Sequence, residues 1–539
     1  MENQHPKSRI MYIKLLNLPI LFILLVSVYS NAQHINIIPQ PNKVALKGHV
    51  VFKISESTTI VSSKVSNISA EKLQDILKFD ANLELNISNK LHRNSISFKL
   101  NKALSKEAYQ LDVSTNSITI TASGDYGWFY GIQSLRQLVS TSHDIQGVLI
   151  KDEPQFGWRA YMLDESRYFH GEDFVKLLLD EMALLKMNVF HWHLVDDAGW
   201  RIEIKKYPKL TSIGSKRTNS EIETWGSEKY SGKPHSGFYT QEQIKELVSY
   251  AKARNITIVP EFEMPGHSSA AIAAYPWLGT TAKSIEVPIK FGRHYDNYDV
   301  TKPEVISFIK DVLNEMFELF PSEVIHIGGD EVGYKVWNDS EHVQQYMKTK
   351  GLNTPADLQI EFTNNISKFI ESKGRRMMGW NEIMGINIHQ GFEEKKDDKE
   401  AETELAQNVV VHFWKGSLDL ATQAAQQGYS IVNSLHSNTY LDYDYKAISL
   451  EKAYNFNPIP EGLDEIYHKN IYGLGCQMWS EWTPTNDDIA YQTFPRIAAF
   501  AEVGWTNISS KSYKDFTSTL KNIQKRWDRL QIKYAKVLE

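Results

Sequence analysis

The sequence predicts an α/β protein: a (β/α)8 TIM barrel preceded by a small α+β domain. Three observations carry this reading. After Pro154, eight apolar runs of strand length alternate with helical patterns, the rhythm of a barrel. The stretches between several of those runs carry one apolar stripe at helical spacing, two of them behind cap signals. The chain, at 539 residues, is too long for one average domain but suits a large barrel with a smaller companion.

Residues 1–32 read as a cleavable signal peptide. Lys7, Arg9 and Lys14 precede the apolar run "LPILFILLVSV" from Leu18, and small Ser30 and Ala32 follow at the spacing a signal peptidase accepts. The run is shorter than the ~20 residues that span a bilayer comfortably, so the expectation is export to the periplasm or beyond, with no stable membrane span. Export permits disulfides, but Cys476 is the only cysteine, so stability must come from an apolar core.

Residues 33–153 form the α+β domain. "SISFKL" and "SITITA" alternate as strands do, and "SAEKLQDILKF" and "YGIQSLRQLV" are amphipathic at helical period. Residues 154–505 hold the barrel, with strands at "RAYML", "NVFHWHL", "ITIVPEF", "EVIHIGG", "RRMMGW", "VVVHFW", "YSIVNSL" and "YGLGCQMW". Between the first two, Phe174, Leu177, Leu178, Met182 and Leu185 share a helical face. Thr240 with Gln243, and Thr301 with Glu304, read as capping boxes opening the next two helices. Residues 268–300 read as a long loop, and the run "EEKKDDKEAETE" from Glu393 as a solvated loop. Residues 506–539 are expected to be a helical segment packing on the barrel. A doubly wound open sheet is the competing architecture.

The formal net charge of −6 offers no basic surface, which argues against nucleic acid as a partner. Oligomeric state is not legible. The polar residues are more telling, because side chains at the C-terminal ends of barrel strands converge on one mouth. In strand order these are Asp164 and Arg167; His191, His193, Asp196 and Asp197; Glu261, Glu263 and His267; Asp330 and Glu331; Trp380 and Glu382; Trp414; Tyr440 and Asp442; Trp479 and Glu481. Carboxylates and tryptophans on one rim make a sugar site, since ring faces stack on aromatics and hydroxyls need paired acceptors. Each residue has a plainer reading as packing. His191, His193 and His267 are either buried core histidines or ligands of a metal.

The pair Asp330–Glu331 is harder to explain as surface. It follows an apolar strand and two glycines, which allow close approach of backbone or ligand. Crowding two carboxylates should raise the pKa of one, and a carboxyl protonated near neutrality can donate to a leaving oxygen.

"HIGGDEV", "HWHLVDDAGWRIEI", "PEFEMPGH", "MLDESR" and "QMWSEW" together resemble the signatures of family 20 glycoside hydrolases, the exo-acting β-N-acetylhexosaminidases, and the likeness extends through the small domain at "GWFYGIQSLRQL". The resemblance implies a retaining mechanism in which the 2-acetamido oxygen of the substrate is the nucleophile and an oxazolinium forms. It makes Glu331 the acid and then the base, and Asp330 the group that orients the acetamido and steadies its developing charge. Arg167 would bind the hydroxyls at C3 and C4, Glu481 those at C4 and C6, and Asp442 the outer hydroxyls. Tyr440 would hold the acetamido carbonyl inside walls made by Trp380, Trp414 and Trp479, with Asp196 and His267 as a supporting dyad. Two departures stand out: Glu263 replaces a commoner Asp, and "GWNE" places Asn381 where Asp is usual. The implied partner is a glycan ending in a β-linked N-acetylhexosamine, with no metal and no cofactor. The rival readings are a non-catalytic carbohydrate-binding protein on the same fold, and a metal-dependent hydrolase built on His191, His193 and His267.

Overall fold

The computed structural model describes residues 35–292, 296–386 and 400–537. The expected leader lies outside them, as do residues 393–399 of the charged run. The end of that run is described and is tied down: Asp357 Oδ1 accepts hydrogen bonds from the backbone N–H groups of Glu402 and Thr403, both at 2.8 Å.

Alternating polar and apolar residues build a mixed seven-stranded sheet ahead of the barrel. Its order is Lys43–Lys53, Asp144–Asp152, Tyr109–Val113, Ser117–Ala122, Ser95–Leu100, Thr59–Val61, Asn86–Ser88. In "SITITA", Ile118, Ile120 and Ala122 are buried while the residues between them are half-exposed, the signature of a strand with one covered face. Two helices accompany the sheet, Asn67–Ala81 and Asp125–Thr141. The second is buried from Gly127 to Val139, because the sheet covers one side and the barrel the other.

The barrel strands are Trp158–Asp164, Val189–His193, Thr257–Glu261, Val324–His326, Arg376–Trp380, Val409–Phe413, Ser430–Asn433 and Ile471–Met478. All neighbours are parallel, and the eighth strand pairs with the first from Gly473 beside Trp158 to Met478 beside Leu163. The sheet is closed, which removes the open-sheet alternative.

The helix Glu172–Leu184 buries Phe174, Leu178 and Met182, and Thr240 opens Gln241–Ala253 with the expected reciprocal capping box. Thr301 and Glu304 do not make theirs. Pro303 takes the first position of the helix Pro303–Leu319 and Lys302 becomes the cap residue, held extended by the proline that follows it. Thr301 Oγ1 instead donates to Asp299 Oδ1 at 2.6 Å. Nor is 268–300 wholly irregular: Ser269–Ala274 is helical and Pro276–Leu278 forms a 3-10 turn. Among the described residues no helix is long and apolar enough to cross a membrane.

Buried charges join the two domains. Asp152, ending the last strand of the small sheet, accepts from Tyr109 Oη at 2.7 Å, from Trp505 Nε1 at 2.9 Å and from Lys186 Nζ at 3.2 Å. Arg159, on the first barrel strand, reaches Glu107 at 3.1 Å and lies over the ring of Trp505 at 5.0 Å. At the far end of the interface the helix Tyr513–Arg529 places Arg526 and Arg529 on Asp80, which also binds Arg136. Trp527 Nε1 from the same helix donates to Glu181 Oε2 at 2.9 Å, on the first barrel helix.

Removing one partner of a buried pair leaves the other charge stranded. Both Lys186 and Asp152 side chains are fully shielded from solvent. Lys186→Met should therefore lower the unfolding free energy by about 3–5 kcal/mol in a denaturant titration, and a loss below ~1 kcal/mol would show the pair to be dispensable.

Candidate active site

The chain leaves the fourth strand through "GGDE", and the glycines have a geometric reason. Gly328 and Gly329 both adopt positive φ, 68° and 95°. A Cβ at Gly328 would stand 1.7 Å from the carboxylate of Glu263, and one at Gly329 would stand 2.7 Å from Ile383. The turn so made drops Asp330 into the barrel mouth, 9% exposed, and leaves Glu331, itself left-handed at φ 51°, half-buried with its side chain 22% exposed.

One histidine stands between the two acids. His267 Nε2 lies 3.7 Å from Asp330 Oδ2 and 3.7 Å from Glu331 Oε2. Its Nδ1 donates to Asp196 Oδ1 at 3.1 Å, with Asp197 Oδ2 at 3.2 Å. The other oxygen of Asp196 takes Arg167 Nη2 at 2.7 Å and His193 Nε2 at 3.1 Å. Arg167 in turn faces Asp164 at 3.3 Å and Glu481 at 3.8 Å, over the ring of Trp479 at 5.0 Å. The Asp196–His267 dyad is thus wired both to the acid pair and to the arginine of the rim.

The aromatic residues close a box beside the acids. Trp380 and Trp479 have ring centroids 6.0 Å apart, and Trp380 and Trp414 6.4 Å. Tyr440 lies parallel to Trp414 at 6.0 Å and 6.1 Å from Trp479. The box is braced from behind: Glu382 accepts from Trp414 Nε1 at 2.8 Å, and Asn381 Oδ1 accepts from the backbone N–H of Trp414 at 3.0 Å. Asn381 acts as an anchor for the strand end, and a neutral acceptor is enough for that.

Burial and crowding sort these carboxyls into two classes. Burial opposes the charge on Asp196, yet Arg167 and His267 overcome it and hold the carboxyl well below its usual range. Asp330 is pushed up to about 6, by burial against the pull of His267, with Glu331 adding to the rise. Glu263 is pushed well above the carboxylate range by burial and by Asp330 and Glu261. Burial also lifts Glu382 to about 8 and Glu481 to about 7, the latter against Arg167. Asp442, half-buried with Oδ1 shielded and unpartnered, is raised well above its usual value by desolvation and by the charge of Glu481. The crowding expected of "DE" is present, and Asp330 carries a raised pKa.

The residues singled out through the resemblance are linked by contacts at this mouth: Arg167, Asp196, Glu263, His267, Asp330, Glu331, Trp380, Trp414, Tyr440, Asp442, Trp479 and Glu481. The three histidines of the metal reading do not converge. His193 has both ring nitrogens committed to carboxylates, Nδ1 to Glu261 at 2.6 Å and Nε2 to Asp196, and these outweigh burial to raise its pKa to about 10. Each of the three instead falls in a separate buried cluster of possible ligands: His191 with Glu261 and His326, His193 with Glu261 and Glu263, and His267 with Asp196 and Asp197. His191 has other histidines beside it that sequence spacing did not reveal: the rings of His326 and His412 lie 4.6 and 5.5 Å away, brought by the fourth and sixth strands.

Glu261, named from the sequence as a strand-end residue but given no role there, proves central. It is fully buried at the end of the third strand, paired in register with His193 on one side and His326 on the other. Besides His193 it accepts from Trp380 Nε1 at 2.8 Å, and nitrogens of His191 and His326 each lie 2.9 Å away. One ionised carboxylate therefore holds both the box wall Trp380 and the line His193–Asp196–His267. A usable signal was present: a glutamate closing an apolar strand in the same layer as an inward His-x-His.

The model of the glycosyl hydrolase family 20 catalytic domain matches residues 156–508, and that of domain 2 of the same family matches residues 34–153. The chain belongs to glycosyl hydrolase family 20. A β-hexosaminidase of Porphyromonas gingivalis is 35% identical over 533 residues, covering 93% of this chain and 64% of its own, so the chain spans just under two thirds of that relative. A β-hexosaminidase of Vibrio furnissii is 33% identical, covering 88% of this chain and 77% of its own. Among solved structures of the family, the exo-β-N-acetylglucosaminidase of Vibrio harveyi in complex with N-acetylglucosamine superposes with a TM-score of 0.81 at 32% identity, covering 94% of this chain and 79% of that one. The small domain and barrel described above are therefore the family's own architecture.

The raised carboxyls fix a sign for pH. A group whose folded pKa exceeds its unfolded value stabilises the fold less as pH rises between the two. Burial takes the Glu382 carboxyl from its ordinary 4.5 up to about 8. The stability of Glu382→Gln relative to the native sequence should therefore increase from pH 5 to pH 8 in thermal unfolding. A difference that stays flat with pH would show Glu382 to be ionised in the fold.

Proposed function

We propose that the protein is an exo-acting β-N-acetylhexosaminidase, releasing terminal β-linked N-acetylglucosamine or N-acetylgalactosamine with retention, through the substrate's own acetamido group. The observation that carries this is the arrangement of the two acids. Ordinary retaining glycosidases set two carboxyls on opposite sides of the scissile bond, roughly 5 Å apart. Here Asp330 and Glu331 leave the same strand end, share His267, and adjoin a box of Trp380, Trp414, Trp479 and Tyr440. Such a box suits the methyl and amide of an acetamido group. The relatives named β-hexosaminidase, and the Vibrio harveyi structure holding N-acetylglucosamine, support the same substrate class.

In this reading Glu331 gives its proton to the glycosidic oxygen while the acetamido oxygen attacks the anomeric carbon. The amide nitrogen gains positive charge, and Asp330 accepts its N–H. An Asp330 pKa of about 6 is compatible with that role: the carboxyl is mostly ionised at neutrality, and the charge developing beside it favours the ionised form further. Glu331, now a carboxylate, takes a proton from water as it opens the oxazolinium. Arg167, Asp442 and Glu481 hold the ring hydroxyls meanwhile. His267, backed by Asp196, sits where it can steady the charge on either acid through both steps.

Two variants test the division of labour. Glu331→Gln should lose at least ~100-fold in kcat on glycosides with poor leaving groups, the upper part of the range for general acid catalysis. Near-native turnover would remove Glu331 as the acid. For the native protein, kcat/KM should rise with pH through a limb near 6, where Asp330 ionises, and this limb should be missing from the residual activity of Asp330→Asn. A limb that persists in that variant belongs to another group.

We further infer that the chain is exported and its leader removed after Ala32, supported by Lys7, Arg9 and Lys14 ahead of a short apolar core. N-terminal sequencing of the mature protein should begin at Gln33; a start at Met1 would refute it.

A further inference from the structure

Behind the rings of the aromatic box lies a second tier of buried polar side chains to which the reaction above gives no task. His412, on the sixth barrel strand, pairs in register with Trp380 on the fifth, and the two rings stack with centroids 4.2 Å apart and planes at 19°. Both nitrogens of His412 are engaged. Nδ1 shares a hydrogen bond with His326 Nε2 at 3.2 Å, on the fourth strand, and Nε2 shares one with Ser434 Oγ at 2.8 Å, just past the seventh. Burial, with His326 and His191 adding to it, holds the His412 pKa well below its ordinary value, so the ring is neutral, with one donor and one acceptor. Those two bonds fix the plane of the imidazole, and Trp380 lies on that plane.

Each arm leads to a group that holds the substrate. His326 Nδ1 accepts the backbone N–H of Gly328 at 3.0 Å, in the turn that carries Asp330 and Glu331. On the other arm Ser434 Oγ also accepts the N–H of Gly475 at 3.0 Å. A Cβ at Gly475 would stand 2.9 Å from that hydroxyl and 2.6 Å from Gln477 Nε2, so the glycine permits the close approach. Gln477 extends the arm, with its Nε2 3.3 Å from His412 Nε2. Its Oε1 accepts from Thr439 Oγ1 at 3.1 Å and its carbonyl accepts the N–H of Leu441 at 2.7 Å, one bond on each side of Tyr440. His412 thus connects the turn bearing Asp330, the wall Trp380 and the loop bearing Tyr440.

We propose that His412 is a positioning residue for the acetamido group, seating Trp380 and keeping the Asp330 turn and the Tyr440 loop at a fixed separation. The nucleophile of the reaction is part of the substrate, so its aim is set by how the protein holds the two ends of the amide. A displacement of about 1 Å can cost ~100-fold in rate. A buried ring that ties both holders to one wall sets that aim without touching the sugar. The inference rests on the hexosaminidase reading.

The test uses His412→Phe, which keeps a ring against Trp380 and removes both hydrogen bonds, and Ser434→Ala, which keeps the imidazole and removes one partner. On p-nitrophenyl N-acetyl-β-glucosaminide, His412→Phe should lower kcat about tenfold with KM within about twofold, and Ser434→Ala should show the same split at smaller size. The methylthiazoline analogue of N-acetylglucosamine, which imitates the cyclised acetamido, should lose affinity by a factor similar to the loss in kcat. N-acetylglucosamine, whose acetamido is not cyclised, should keep its affinity within about threefold. A packing role would instead lower the Tm and leave the ratio of the two inhibition constants unchanged; that result, or native kinetics in both variants, overturns the proposal. Should His412→Phe fail to fold, Ser434→Ala decides by the same two readings. If the native protein cleaved no N-acetylglucosaminide, the hexosaminidase reading itself would fail, an outcome distinct from these.

Discussion

The structure depends on how a crowd of carboxyls is kept in one dry layer at the barrel mouth. Glu261, Asp196, Asp330, Glu263 and Glu481 lie within a few side chains of one another, all buried. Such a cluster can exist only if some members are neutral and the rest are matched by cations. The matching is selective. His193 and Trp380 serve Glu261, Arg167 and His267 serve Asp196, and Glu263 is left without a hydrogen-bond donor from the protein. Asp196 and Glu261, held well below the usual range, form the scaffold, and Asp330, Glu263 and Glu481, pushed upward by burial, are packed around it.

Backbone geometry makes this crowding possible. A side chain at Gly328 would occupy the space of the Glu263 carboxyl, so the longer glutamate and the glycine fit each other. The two left-handed glycines also turn the chain so that consecutive acids sit in different surroundings, one buried against His267 and one reaching toward solvent. Adjacency in sequence, which looks unfavourable for two like charges, here produces two environments.

Much of the fold was legible because parallel barrel strands are covered on both faces and so read as unbroken apolar runs; all eight stand where those runs lie. The helix at Thr240 was legible for a local reason, its capping box, whereas the same motif at Thr301 was overridden by a proline two residues on. The rim residues were legible because each follows a strand end. The wiring beneath them was not. Glu261 and His193 are 68 residues apart, and His326 and His412 86 apart; only barrel closure and register bring them into contact. A pattern reading sees each of these residues against its neighbours in the chain, and their partners are elsewhere. The resemblance to a known family supplied roles for Asp330 and Glu331, but none for Glu261.

The contact at Asp80 carries a consequence for how the molecule is assembled. Its carboxyl, on the helix Asn67–Ala81, is clasped by Arg526 and Arg529, which lie 446 and 449 positions further along. Neither arginine exists when the small sheet first leaves the ribosome, so the clasp on Asp80 closes only after all eight barrel strands have been made, long after Lys186 and Arg159 have become available to Asp152 and Glu107. The helix Tyr513–Arg529 works as a latch on Asp80, added to the fastening that Lys186 makes with Asp152 and Arg159 with Glu107.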